Sequence, residues 1–170
     1  MNNELLDLMS SDKKVAYILL IAEKVFSIRK IEDEKYFEGR RTLDKCWQWV
    51  EGDKVSGDDL YELIDNEECS GVSEYASEEE TKDMKYMWHL VTDAVCFASW
   101  SAYKEDGEKY LPQILEGIHR RHMADFNKNV LITGLMKEDE IMDMMKKFCL
   151  LIEEIGDDER IKKMKFMKII

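Results

Sequence analysis

A chain of 170 residues with 45 % hydrophobic and 10 % aromatic residues can bury a sizeable core in one domain, which excludes disorder despite 36 % charged residues. One proline and eight glycines leave few breakers for a β-rich fold. A formal net charge of −12 is the reverse of the basic balance that marks a nucleic-acid binder, and it favours a basic protein partner.

In chain order, Ser11 is placed to cap a helix running to about Arg29, where Val15, Ile18, Leu19, Ala22, Val25 and Phe26 recur at helical spacing. A second helix is predicted from Glu34 to Val50. Tyr36, Phe37, Arg40, Leu43, Trp47 and Val50 line one side of it, with Arg40 the discordant member. After a turn from Gly52 to Gly57, Ser56 and Asp59 form a capping box that opens a short helix to about Asn66. Glu67 to Ser77 is predicted as a polar loop containing Gly71. Ser77 and Glu80 suggest a second capping box, opening a long helix to about Lys104. That helix is apolar on much of its circumference after Trp88 and is expected at the centre of the fold, with Trp47, Trp88 and Trp100 mainly buried.

Pro112 suits the first turn of a further helix to about Phe126, carrying Ile114, Leu115, Ile118 and His122 on one face. Gly134 breaks the chain. Leu135 to Ile155 continues as a helix with Ile141, Met144, Met145, Phe148, Leu151, Ile152 and Ile155 as its stripe, and Gly156 is expected to stop it in the left-handed conformation. The tail from Glu159 to Ile170 is basic and amphipathic, its cations flanking Ile161, Met164 and Met167. Its simplest reading is a solvated face. No repeat or flexible linker divides the chain, so the expected architecture is all-α, a single-domain bundle of about six to eight helices over residues 1–170.

Cys46, Cys69, Cys96 and Cys149 form no CxxC pair and no zinc spacing. Cys46 and Cys96 fall in apolar helical runs, as reduced core thiols do, which fits a reducing, cytoplasmic setting. The apolar run Val15–Ala22 follows Lys13 and Lys14, but eight residues followed at once by Glu23 and Lys24 make neither a signal peptide nor a membrane span of about 20 residues.

The sharpest metal candidate is Glu116, His119 and His122. A Glu-x-x-His pair puts two ligands on adjacent turns, but a di-iron bundle needs a second such pair, and this chain has none. His89, beside Trp88, is expected as a satisfied core histidine. No phosphate loop, G-x-S-x-G or H-E-x-x-H occurs. The expectation is therefore a non-enzyme with no metal and no cofactor. The competing classes are a helical metal- or ligand-binding enzyme and a regulatory adaptor.

The strongest signal outside the core is acidic. Between residues 51 and 83, thirteen acids oppose two lysines, a net of −11 within a total of −12. Two explanations stand open: a solvated face, or a docking surface that steers a basic partner. On the second, the candidate contacts are Asp58, Asp59, Tyr61, Glu62, Asp65, Glu67, Glu68, Tyr75, Glu78, Glu79 and Glu80, with the two tyrosines as anchors.

The stretch Leu43-Asp44-Lys45-Cys46-Trp47-Gln48-Trp49, followed by Leu60-Tyr61-Glu62-Leu63-Ile64-Asp65-Asn66, resembles immunity protein family six of bacterial polymorphic toxin systems. Ala98-Ser99-Trp100-Ser101-Ala102-Tyr103 and Tyr110-Leu111-Pro112-Gln113 look similar too, so the resemblance spans roughly Val15 to Gly117. It implies a small, cytoplasmic, non-enzymatic helical inhibitor that binds a cognate toxin domain. It supplies no contact residues: Trp47, Leu60, Tyr61, Asp65, Tyr103 and Pro112 match, and most look structural. Many toxin domains are nucleases with basic, phosphate-gripping sites, which an acidic inhibitor complements; nothing in this sequence says that its toxin is one.

Overall fold

The computed structural model describes residues 8–29, 31, 34–68, 70–118, 122–156 and 159–170. Among them every regular element is a helix: α1 (Ser11–Phe26), α2 (Glu34–Glu51), α3 (Gly57–Tyr61), α4 (Val72–Glu78), α5 (Lys82–Glu105), α6 (Gln113–Glu116), α7 (His122–Thr133), α8 (Glu138–Ile155) and α9 (Lys163–Phe166). Six of these are seven residues or longer, which agrees with the expected all-α bundle.

The centre is a pair. α5 packs along α1, and the remaining helices are laid around the two: α2 and α8 against α1, α3 and α4 against α5, α7 against both. α1 is more enclosed than a single stripe, since every residue from Val15 to Glu23 is buried. An apolar helix covered on all sides is what a core helix requires. Tyr17 links it to its neighbours, with its ring 5.5 Å from Phe148 and its hydroxyl donating to Asn127 Oδ1 at 3.4 Å.

Trp47 and Trp88 are fully buried, whereas Trp100 is half-buried, stacked on Phe97 at the edge of the core. Gly39 lets α2 approach closely: a Cβ there would stand 2.5 Å from the Phe26 ring and 2.8 Å from the Trp88 ring. Cys46 and Cys96 are free and buried, as expected, and burial pushes the Cys96 thiol up to about 12.

Several sequence expectations need correction. The first helix starts one residue past an extended Ser10 and ends at Phe26, before Arg29. The predicted loop from Glu67 to Ser77 contains α4, so Ser77 lies inside a helix. Thr81 caps α5 instead, accepting from the Met84 amide. His89 is exposed, because it falls on the outer face of α5. The predicted helix from Pro112 to Phe126 is interrupted after Glu116, and Ile114 stands 50 % exposed. Gly156 has φ +79° but ψ −179°, outside the left-handed helical region. In the tail only Lys163–Phe166 is helical; Ile161 and Phe166 are buried while Met164 is exposed. His119 lies outside the described residues, as do Cys69 and the side chain of His122.

Candidate docking groove

α2 turns one face inward with Leu43, Cys46, Trp47 and Val50, so the opposite face is free to line a surface. Phe37, Arg40, Arg41, Asp44, Lys45 and Gln48 recur on that face at three- and four-residue spacing and form the floor of an open groove of about 1390 Å³. Asp59, Tyr61, Glu62, Leu63, Asp65, Asn66, Glu67, Glu68 and Ser70, from α3 and the chain after it, form the wall.

The wall is held by local hydrogen bonds. The Ser56–Asp59 capping box forms as its spacing suggests: the Ser56 amide donates to Asp59 Oδ2 at 2.8 Å, and the Asp59 amide to Ser56 Oγ at 3.1 Å. The Ser56 amide and hydroxyl, both donating to Asp59 Oδ2 at 2.8 Å, hold the Asp59 carboxyl below its ordinary value, and the nearby Lys45 charge adds to the effect. Asn66 organises the next turn. Its amide donates to the Glu62 carbonyl, while its Oδ1 accepts from the Glu68 and Ser70 amides, each at 3.1 Å. Val72 N to Leu63 O at 2.9 Å and Ser73 Oγ to Ile64 O at 2.6 Å fasten this turn to the start of α4. Glu62, Asp65, Glu67 and Glu68 are therefore exposed side chains on a tied backbone.

The floor rests on a buried charge network. Glu23, on α1, is 4 % exposed. Its carboxylate accepts two hydrogen bonds from the Arg40 guanidinium and one from Trp47 Nε1 at 3.0 Å, with Lys163 Nζ at 3.2 Å. Asp44 accepts from Arg40 at 3.1 Å and from Lys163 Nζ at 2.6 Å. Burial opposes the charge on Arg40, but the Glu23 hydrogen bonds and the charges of Glu23 and Asp44 more than offset it and raise its pKa. The discordant arginine of the sequence is thus the partner of a core carboxylate.

The eleven sequence candidates divide. Asp59, Tyr61, Glu62, Asp65, Glu67 and Glu68 line the groove. The other five do not. Asp58 accepts a hydrogen bond from the Tyr103 hydroxyl. Tyr75 packs edge-on against Trp88 with ring centroids 4.8 Å apart. Glu78 pairs with Lys35 at 3.0 Å. Glu79 meets Arg29 at 2.6 Å and accepts from Trp88 Nε1 at 2.9 Å. Glu80 is exposed, away from the groove.

The sequence did not single out Arg41, Lys45, Gln48 or the 61 % exposed Phe37 for docking. One signal for Phe37 was available. It adjoins Tyr36, about 100° away around the helix, so at the edge of a single buried stripe one of the two rings is left facing outward. Tyr36 takes the inward place, stacked on Phe26 with centroids 5.4 Å apart.

The family described as Immunity protein Imm6 matches residues 13–133, which takes in α1 from its third residue, α2 to α7 and every groove residue. No curated protein and no solved structure matches.

Proposed function

This chain belongs to the Imm6 immunity-protein family, and from that premise we propose that it neutralises a cognate toxin domain by binding it in the groove between α2 and the acidic wall. One observation carries the proposal: five carboxylates, those of Asp59, Glu62, Asp65, Glu67 and Glu68, stand along one wall of a concave surface. With Asp44 the lining holds six carboxylates against Arg40, Arg41 and Lys45, and a net negative field over a cleft raises the encounter rate of a basic partner, by about 10 to 10³-fold where the field is strong. Exposed ion pairs themselves contribute only about 0–1 kcal/mol each, so tight binding needs an apolar anchor. The exposed ring of Phe37, on the floor, supplies one.

The partner that fits is a basic toxin domain. A nuclease is the class whose active site is basic by necessity, since it grips phosphates. The proposed action is occupation of that surface, without catalysis and without a cofactor. Among the described residues no helix is long and apolar enough to cross a membrane. The reduced, buried Cys46 and Cys96 favour the cytoplasm as the proposed compartment.

The test takes the cognate toxin domain, to be sought in the open reading frames that flank this chain's gene. A variant combining Glu62→Gln, Asp65→Asn, Glu67→Gln and Glu68→Gln should associate about tenfold more slowly, with a flatter salt dependence. Circular dichroism should match the parent. Unchanged association kinetics would remove the groove as the docking site.

A further inference from the structure

The C-terminal tail lies beyond the family-matched segment, yet it reaches the floor of the groove. Ile161 and Phe166 are buried, and the Phe166 ring stands 5.3 Å from Phe148, so the tail is docked on the core by apolar contacts of its own. Between these anchors the Lys163 backbone amide donates to Glu51 Oε1 at 2.8 Å, at the end of α2. Its ammonium reaches Asp44 Oδ1 at 2.6 Å and Glu23 Oε1 at 3.2 Å. Two carboxylates, Glu23 and Asp44, are thereby shared between two cations, Arg40 and Lys163.

We propose that Lys163 is a positioning residue for the groove: it holds Asp44, and through Asp44 and Glu23 it holds the Arg40 guanidinium, in fixed places on the groove floor. Without the ammonium, Arg40 is left as the one cation of the network for both carboxylates. Glu23 is fixed by burial and by the Trp47 indole, so it keeps the guanidinium. Asp44, whose side chain is 46 % exposed, is the member free to swing into the groove. The floor then gains a mobile negative charge, and the Arg40 side chain loses the neighbour that fixes it from the far side. The consequence for docking rests on the groove being the toxin site; the positioning itself does not.

The two are tested separately. In the full-length protein, proton exchange at Arg40 Nε–H and the resonance of the Trp47 indole N–H are followed by NMR for Lys163→Met, Lys163→Gln and Lys163→Arg. The variants keep the Glu51 backbone bond and both apolar anchors. Phe166→Leu is the control for a tail that is merely less stable. Lys163→Met is expected to speed Arg40 Nε–H exchange about tenfold or more and to shift the Trp47 indole resonance. Lys163→Arg restores both, and Phe166→Leu lowers the melting temperature without moving either. Parent-like Arg40 exchange in Lys163→Met, or an equal change in Phe166→Leu, overturns the proposal. So does failure of both Lys163→Met and Lys163→Gln to fold, since Lys163 would then hold the fold and not the groove. If Arg40 loosens while affinity for the toxin domain stays at the parent value, the positioning role stands and the groove as docking site falls.

Discussion

The Trp88 indole donates a 2.9 Å hydrogen bond to Glu79, the same carboxylate that meets the Arg29 guanidinium at 2.6 Å. Part of the acidic stretch is thereby committed to joining the end of α1 to the start of α5. Burial works against the charge on Glu79. The hydrogen bonds from Trp88 and Arg29 and the charges of Arg29 and Lys35 more than offset it, and hold the carboxyl below its ordinary value.

Glu79→Gln should therefore destabilise the protein by roughly 3 kcal/mol at neutral pH, because it takes the carboxylate from a largely buried pair. A depressed folded-state pKa stabilises above the unfolded value near 4.3, and that stabilisation is lost as pH falls through the folded value. The gap between parent and variant in urea denaturation should be widest at neutral pH and close on acidification. A gap that stays constant down to the acid transition would show that the Glu79 charge contributes nothing.

Phe37 and Tyr75 should separate binding from folding. Phe37 is 61 % exposed and meets Tyr36 edge-on at 5.7 Å. Phe37→Ala should cost about 1 kcal/mol of stability or less and speed toxin dissociation by tenfold or more, at roughly 1.4 kcal/mol per tenfold. Tyr75 packs on Trp88 and donates its hydroxyl to the Ser70 carbonyl at 3.1 Å. Tyr75→Ala should cost about 2–3 kcal/mol and leave dissociation of the folded complex unchanged. Surface-plasmon dissociation rates alongside denaturation midpoints decide between the two roles.

Gly39→Ala should destabilise although alanine is the better helix former. Its gain of about 1 kcal/mol in propensity is opposed by overpacking against Phe26 and Trp88, at about 1–3 kcal/mol. Both rings are buried between packed helices and have nowhere to retreat. A raised midpoint in urea would mean that α2 can move outward at little cost.

Local chemistry was legible in the sequence where the partners are close along the chain. The Ser56–Asp59 box formed because both members lie within one turn. The same pattern failed at Ser77 and Glu80: α4 already holds Ser77, and the extended Glu79 ends that helix. Apolar periodicity located α1, α2, α5 and α8, because burial drives those elements. The groove was only half legible. Its acidic wall is a run of sequence, whereas its floor is the back of α2, seen only once the inward face is known. Arg40 stands out of place on its stripe, but its partner Glu23 comes from another helix, and spacing along one helix carries no information about that.

The network under the groove floor also sets an order of events in folding. The Lys163 contacts to Glu51 and Asp44 close loops of 112 and 119 residues, while α1 and α2 need only their own short-range bonds. Such long closures pay most of their entropy before any contact rewards them, so they belong late on the folding route. Substitutions at Lys163 should accordingly leave the refolding rate almost untouched and express themselves as faster unfolding. The tail then acts as a kinetic lock, setting how long the groove stays assembled once made.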